Sequence, residues 1–178
     1  RGSMPSFFAV SADMIAISFH NAQLHRRSIV DALTQVYSRG HFDMHLVMEV
    51  ARADRYTKQT PGDELRVVSL ILADIDHFKK INDTYGRQVG DAALRAIAKA
   101  MADGIRKSDT IARYGGEEFA LVAPETKKEE GFNLAERLRK RVCALTVETP
   151  KGPIQVSASF GVAAYPVDAK DTRELVAA

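Results

Sequence analysis

Two short acidic segments carry the residue types that phosphoryl chemistry needs. Asp74-Ile75-Asp76 follows an apolar run, and both carboxylates are predicted to point to the same side because side chains alternate along a strand. Gly115-Gly116-Glu117-Glu118-Phe119 joins glycines, which permit a positive φ and a close backbone approach, to adjacent glutamates that repel each other unless a cation is near. Taken singly, the first segment is as typical of a solvated strand end, and the second is more typical of an ordinary turn. Together they predict a site for divalent cations in an in-line displacement at phosphorus.

The composition favours a single globular domain with a modest extension. The chain has 178 residues, of which 46% are hydrophobic and 27% charged, enough to bury a core. The formal net charge of +2 is too small to recruit nucleic acid or an anionic membrane surface. No run reaches the roughly 18 apolar residues of a membrane span, and Cys143 is the single cysteine. We therefore expect a cytoplasmic protein that binds neither nucleic acid nor a membrane.

The N-terminal segment is expected to be separate from this domain. Arg1-Gly2-Ser3-Met4 resembles the remnant of an expression tag, and residues 6–28 show helical periodicity. Apolar positions recur there at alternating steps of three and four, as in a coiled-coil seam: Phe7, Val10, Met14, Ile17, Asn21 and Leu24. A second apolar face leaves open the alternative of a helix packed on two sides. Residues 1–30 are predicted to be a tag remnant and a linker or signalling helix that needs a partner.

Periodicity assigns the elements that must position the acidic segments. Helices are predicted over residues 40–56, from residue 90 to about 106, and after a capping pair formed by Thr126 and Glu129. Residues 67–76 are predicted to form a strand buried on both faces, 110–124 a hairpin and 154–162 a half-buried strand. Residues 31–37 and 81–90 are expected to be a connector and a loop. This order predicts an α+β fold, a split βαβ sheet with helices on one face.

Several spaced motifs together resemble the GGDEF-domain diguanylate cyclases. Residues 113–119 match the family signature in its GGEEF form, and residues 74–83 resemble its D-x-D-x-F-K-x-x-N-D segment. Residues 86–91 resemble its G-H-x-x-G-D loop, 31–34 its D-x-L-T entry motif and 157–162 its final S-x-G-V strand. The resemblance implies a GGDEF catalytic domain over residues 31–178. Over a shorter stretch, residues 11–24 resemble the last helix of a GAF sensor domain.

The resemblance implies a palm-like sheet of the ferredoxin-like, nucleotide-cyclase type. It also implies the condensation of two GTP into cyclic di-GMP and two pyrophosphates across a homodimer. The expected ligands of Mg²⁺, or of Mn²⁺ as an alternative, are Asp74, the Ile75 carbonyl, Glu117 and Glu118. Glu117 is also expected to accept the proton of the attacking 3′-hydroxyl. The expected substrate contacts are Phe78 and Lys79 with the triphosphate, Asn82 and Asp91 with guanine, and Arg87, which replaces the family's usual histidine.

Arg106 and Asp109 match the R-x-x-D site at which such cyclases bind their inhibitory product. A basic helix end followed by a turn explains the same two residues. Compared with the family pattern, the sequence ends at Ala178, before a helix and basic turn that supply phosphate contacts, so a C-terminally truncated domain with reduced GTP affinity is expected. Two other functions are left open by the sequence: a catalytically silent receptor for cyclic di-GMP, and another nucleotide cyclase of palm-like fold.

Overall fold

The computed structural model of the chain describes residues 29–59 and 67–178. The helix expected over residues 6–28, with its coiled-coil or two-sided packing, lies outside them. The helices of the described part are α1 (Arg39–Gln59), α2 (Phe78–Tyr85), α3 (Arg87–Ala102), α4 (Lys128–Cys143) and α5 (Thr172–Ala177). The strands are β1 (Tyr37–Ser38), β2 (Val68–Ile75), β3 (Thr110–Arg113), β4 (Glu118–Pro124), β5 (Thr146–Val147), β6 (Ile154–Gln155) and β7 (Ala158–Tyr165).

A five-stranded mixed sheet has the strand order β1-β3-β4-β2-β7. β1 runs parallel to β3, whereas the other neighbours are antiparallel. The predicted hairpin and the predicted buried strand are confirmed as β3–β4 and β2. The strand predicted over residues 154–162 is divided, because β6 pairs with β5 in a separate ribbon and β7 continues to Tyr165 beside β2. A mixed sheet flanked by helices agrees with the expected α+β fold.

Helices cover both faces of this sheet, so the expectation of helices on one face is wrong. On one face, Ile71, Ala73 and Ile75 of β2 pack with buried residues of α3 and α4. On the other face, Leu70 packs with α1 and with Leu175 of α5. Because β2 is covered on both sides, its sequence is a nearly continuous apolar run. The predicted inner face of α1 is confirmed, since these residues are buried: Phe42, Leu46, Val50 and Ala53.

Residues 81–90 are not the loop that their polar composition predicts. They end α2 and begin α3, and Gly86 separates the two helices at a φ of 89°. α2 packs Phe78, Ile81 and Tyr85 against the core at helical spacing. In a helix of only 8 residues, the polar residues Asn82 and Asp83 are enough to hide this apolar spacing. The polar residues are therefore presented from a helix rather than from a loop.

Two helix boundaries also differ from the prediction. α3 ends at Ala102 instead of Arg106, because the chain turns there and the Gly104 amide donates to the Met101 carbonyl at 2.9 Å. The capping pair of α4 lies one residue later than predicted, since the amide of Lys127 donates to Glu130 Oε2 at 3.0 Å. The hydroxyl of Thr126 donates instead to the Pro124 carbonyl at 2.9 Å. None of the helices in the described ranges combines the length and apolarity needed to cross a bilayer.

Candidate active site

The ends of β2 and β4 place two carboxylates directly opposite each other. Asp74 and Glu118 are register partners in the antiparallel pair, and both are exposed. They line a cavity of about 340 Å³ together with Tyr114 and Ser159. No residue of the described part donates a hydrogen bond to either carboxylate. Like charges directly opposite each other destabilise a strand pair, so this arrangement favours the binding of a cation.

A close approach at Gly115 explains one of the two signature glycines. The amides of Tyr114 and Gly115 both donate to the Glu118 carbonyl, at 2.8 and 3.2 Å, which closes the hairpin. A Cβ at Gly115 would overlap the Glu118 carboxylate, whereas a Cβ at Gly116 would meet nothing within 4 Å. Neither glycine has a positive φ. Gly115 therefore leaves room for the Glu118 carboxylate, which a side chain at this position would displace.

Arg113 holds the tip of the hairpin, a role that the sequence reasoning did not assign. Its Nη2 and Nε donate to the Gly116 carbonyl at 2.7 and 3.3 Å, and its Nη1 lies 3.4 Å from both carboxylate oxygens of Asp31. Asp31 also accepts from the hydroxyl and amide of Thr34, at 2.6 and 2.9 Å. Although burial opposes the effect, these bonds and the guanidinium hold the pKa of Asp31 below its usual value. The signal was present, because Arg113 opens the signature and Asp31 opens the entry motif.

A second cavity, of about 460 Å³, lies where α2 and α3 meet the hairpin. The predicted substrate contacts and the predicted base all line it: Phe78, Lys79, Asn82, Arg87, Asp91 and Glu117. Gly90 makes this grouping possible, because a Cβ there would overlap Asn82 Oδ1 and lie 3.2 Å from Cζ of Phe78. Asn82 and Asp91 are half-buried, whereas the two cationic side chains are exposed. The cavity therefore combines hydrogen-bonding groups with positive charge.

The four predicted metal ligands are divided between the two cavities. Asp74 and Glu118 line the first, and Glu117 lines the second. Ile75 joins them through its backbone, since its amide donates to the Glu117 carbonyl at 3.3 Å and its side chain is buried. Within residues 29–59 and 67–178, no group of three or more histidine, cysteine or carboxylate side chains is arranged to hold a metal ion. Two carboxylates still suit Mg²⁺, which takes one or two of them and completes its shell with phosphate oxygens and water.

Asp76, the second carboxylate at the end of β2, is bound within the protein. Ser157 Oγ donates to its Oδ2 at 2.6 Å, and Ser159 Oγ donates to its Oδ1 at 2.7 Å. These two hydrogen bonds hold the pKa of Asp76 below its usual value. The alternation of side chains along a strand makes Asp74 and Asp76 equivalent, but their partners differ. Both serines belong to the predicted final strand motif, where the sequence reasoning assigned them no role.

Arg106 and Asp109 line a third cavity, of about 430 Å³, which shares no lining residue with the first two. The nearly buried Asp109 carboxylate accepts from the Arg106 amide at 2.9 Å and from the Ser108 hydroxyl at 3.3 Å. The Asp109 amide in turn donates to the Arg106 carbonyl at 3.1 Å. Asp109 thus forms the turn that the sequence allowed as an alternative, while Arg106 is exposed beside the cavity.

Known proteins resemble the chain over most of its length. The family model described as "Diguanylate cyclase, GGDEF domain" matches residues 28–178. Diguanylate cyclase A of Treponema denticola is 35% identical over 165 residues, which cover 93% of this chain and 43% of that protein. Diguanylate cyclase VdcA of Vibrio cholerae is 39% identical over 144 residues, covering 79% of this chain and 39% of that protein. The chain therefore spans less than half the length of these curated relatives.

A solved structure shares the fold. The coiled coil and GGDEF domain of DgcB from Caulobacter crescentus, solved in complex with c-di-GMP, superposes with a TM-score of 0.82 at 26% identity. The superposition covers 95% of this chain and 85% of that one. The family model accounts for both acidic segments, the helices between them and the final strand. The chain accordingly belongs to the GGDEF-domain family of diguanylate cyclases.

Proposed function

We propose that this chain is the catalytic domain of a diguanylate cyclase, which joins two GTP molecules into cyclic di-GMP and releases two pyrophosphates. The observation that carries the proposal is the direct opposition of Asp74 and Glu118 beside the cavity of Asn82 and Asp91. Family membership supports the same reaction. The opposed carboxylates would cost stability in a purely structural sheet. Their presence is explained when a cation and an anionic substrate bind there.

Guanine recognition is assigned to the cavity between α2 and α3. The Asp91 carboxylate can accept hydrogen bonds from guanine N1–H and N2–H₂, and the Asn82 amide can both donate and accept. Adenine lacks the N1 proton and the exocyclic amino group at C2, so it would leave the half-buried Asp91 unpaired. Arg87 lines the same cavity and adds a cation close to the nucleotide. This chemistry selects GTP over ATP.

The triphosphate is assigned to the start of α2. The first amides of a helix have no intrahelical acceptor, and the helix dipole favours an anion at that end. The amide of Phe78 and the exposed ammonium of Lys79 both stand in this first turn. The divalent cation, Mg²⁺ or Mn²⁺, would be held by Asp74, the Ile75 carbonyl, Glu117 and Glu118. When bound, it would neutralise phosphate charge that builds up in the displacement.

The proton of the attacking hydroxyl is assigned to Glu117. The 3′-oxygen of one GTP forms a bond to the α-phosphorus of the other, while the bond from that phosphorus to the bridging oxygen of pyrophosphate breaks. The Glu117 carboxylate accepts the hydroxyl proton as this happens. It is half-buried and lines the guanine cavity, so the protein itself can hold it close to the nucleotide. A second displacement of the same kind closes the ring.

Two copies of the chain are needed for this reaction. In the part of the chain that the structure describes, the predicted guanine contacts line a single cavity, which accommodates one nucleotide. The 3′-oxygen of each GTP must attack the α-phosphorus of the other, so two such cavities must face each other across a two-fold axis. We therefore infer a homodimer during turnover. Since GTP is a cytoplasmic nucleotide, we also assign the activity to the cytoplasm.

Product inhibition is assigned to the third cavity. The exposed Arg106 guanidinium can bind phosphate or the guanine Hoogsteen edge, and Asp109 retains lone pairs beyond those used in its turn. Cyclic di-GMP offers both groups. A catalytically silent receptor would use this same cavity, but it would have no need of the opposed carboxylates of Asp74 and Glu118.

The direct test is incubation of the purified chain with GTP and Mg²⁺, with products resolved by chromatography and mass. We expect cyclic di-GMP or its linear dinucleotide intermediate, and a loss of at least a hundredfold in Glu117→Gln and Asp74→Asn. Asp103→Asn, an exposed carboxylate paired with Lys99, is the matched control and should keep full activity. A folded protein that binds GTP and forms no dinucleotide would refute the proposed activity. Equal use of ATP would refute the role given to Asp91.

A further inference from the structure

Asp76 is built into the end of β2 by three hydrogen bonds to the segment that begins β7. Its two carboxylate oxygens accept from Ser157 Oγ at 2.6 Å and from Ser159 Oγ at 2.7 Å. Its amide donates to the Ser157 carbonyl at 3.0 Å. Hydrogen bonds to an ionised carboxylate are stronger than those between neutral groups. This cluster of Asp76, Ser157 and Ser159 is called the serine clamp below.

The serine clamp lies at the point where the chain changes from strand to helix. Ile75 ends β2, His77 adopts the left-handed conformation at a φ of 57°, and Phe78 begins α2. A left-handed residue other than glycine is unfavourable unless its neighbours hold it in place. The Ile81 amide donates back to the His77 carbonyl at 3.2 Å, so the orientation of the first helical turn depends on this residue. Asp76 is the last side chain that anchors the strand before the turn.

We propose that Asp76 is a positioning residue, which fastens the turn between β2 and α2 to β7 and so sets the first amides of α2 relative to the Asp74 carboxylate. The proposal rests on the proposed function, because it gives the amides of α2 and Asp74 to phosphate and cation. Asp76 itself touches neither. Its two oxygens are directed to Ser157 and Ser159, while Asp74 lies opposite Glu118 of the neighbouring strand β4. A shift of about 1 Å in the position of such a turn is enough to slow the reaction at phosphorus.

The rival role for Asp76 is that of an additional cation ligand, and the two roles predict different behaviour of the variants. As a clamp, Asp76→Asn should keep at least a third of kcat, because an amide can accept from one serine and donate to the other. Asp76→Ala should lose about tenfold in kcat. The double variant Ser157→Ala/Ser159→Ala should lose as much as Asp76→Ala, and combining all three changes should add nothing further. The Mg²⁺ concentration for half-maximal rate should stay within about twofold in every variant.

The measurement is steady-state formation of cyclic di-GMP over a range of GTP and Mg²⁺, with Asp103→Ala as the control. Full activity in Asp76→Ala would overturn the proposal. A second outcome would also overturn it: kcat falls as far in Asp76→Asn as in Asp76→Ala, and Asp76→Asn needs more Mg²⁺ for half-maximal rate. In that outcome the double serine variant stays active. That outcome would make Asp76 a cation ligand.

Hydrogen exchange of the amides of residues 76 and 81, which donate to the Ser157 and His77 carbonyls in the free protein, separates failure of this proposal from failure of the proposed function. Loss of the clamp should lower their protection at least tenfold in Asp76→Ala and in the double serine variant, and not in Asp103→Ala. If the unaltered protein forms no dinucleotide, the proposed function fails and this readout alone decides the clamp. Lowered protection would then support the clamp, and unchanged protection would overturn it.

Discussion

Replacing Gly90 with alanine is predicted to weaken GTP binding without weakening the fold. Gly90 lies in the first turn of α3 and its φ is outside the left-handed region, so alanine suits the backbone and favours the helix by about 0.5–1 kcal/mol. The added Cβ would overlap Asn82 Oδ1. That oxygen ends a side chain that can rotate, so the overlap is relieved by turning the Asn82 amide away. The helix is kept and the proposed guanine contact is lost.

The size of the effect follows from the hydrogen bond that Asn82 would lose. One net hydrogen bond contributes about 0.5–1.5 kcal/mol, which corresponds to a rise in KM for GTP of about two- to twelvefold. The value of kcat should fall by less, because the three atoms nearest to the added Cβ belong to Asn82 and Phe78 and not to the hairpin carboxylates or the ammonium of Lys79. The midpoint of thermal unfolding should stay within about 3 °C. Steady-state kinetics and scanning calorimetry measure the two quantities.

Gly40→Ala is the matched control, because that glycine also lies in the first turn of a helix and a Cβ there would meet nothing within 4 Å. It should leave KM unchanged. Asn82→Ala should raise KM as much as Gly90→Ala does, and the double variant should be no worse than Asn82→Ala alone. An unchanged KM in Gly90→Ala beside an impaired Asn82→Ala would refute the reasoning. A large fall in the unfolding midpoint would do so too, since the overlap would then not be absorbed by Asn82.

Three further perturbations test separate parts of the molecule. Without divalent cations, Glu118→Gln should be more stable than the unaltered protein by about 0.2–1 kcal/mol in denaturant unfolding, because the substitution removes one of two opposed carboxylates. With Mg²⁺ and GTP, the same variant should lose cyclase activity. Asp31→Asn should be less stable than the unaltered protein above about pH 4, and the difference should vanish as the pH falls through the lowered pKa of Asp31. Arg106→Ala should lose binding of cyclic di-GMP in titration calorimetry, and its midpoint of thermal unfolding should not change. Asp109→Ala should lose binding and also have a lower unfolding midpoint, because the hydrogen bonds of the turn are lost.

Each of these predictions has an outcome that contradicts it. A cation-free Glu118→Gln protein that unfolds more readily would mean that the opposed carboxylates do not strain the sheet. A stability difference in Asp31→Asn that does not shrink as the pH falls below about 4 would mean that the charge of Asp31 does not cause it. If Arg106→Ala still binds cyclic di-GMP, the proposed inhibitory site does not lie in the third cavity. Asp103→Asn serves as the control in all three measurements.

Long periodic segments could be predicted from the sequence because burial imposes a regular pattern on them. The inner face of α1 repeats at helical spacing, and β2 is a nearly continuous apolar run because helices cover both sides of it. The error over residues 81–90 has the opposite cause. α2 is short and carries Lys79 and Asn82 towards the second cavity, so local composition there reflects the candidate site more than the secondary structure. The second helical layer, of α1 and α5, was missed because periodicity says which face of a helix is buried and not which face of the sheet receives it.

The residue types of the site could be predicted, whereas their contacts could not. Arg113 reaches Asp31 across 82 positions of sequence, and Asp76 reaches Ser157 across 81. No period or local motif encodes such a separation. The glycines show the same limit, because the Glu118 side chain occupies the space of a Cβ at Gly115 and the Asn82 side chain that of a Cβ at Gly90. A sequence pattern identifies them as glycines of a turn or loop, and only the folded chain shows what they make room for.

The two carboxylates at the end of β2 differ in the partners that the fold gives them. Asp74 and Asp76 have the same chemistry and stand two residues apart, so they leave the strand on the same side. The strand on one side of β2 places Glu118 opposite Asp74, and the segment on the other side brings two serine hydroxyls to Asp76. Asp76 is thereby satisfied within the protein, while Asp74 has no hydrogen-bond donor in the described part of the chain. The carboxylate that lacks an internal partner and faces a like charge is the one that a bound cation stabilises most.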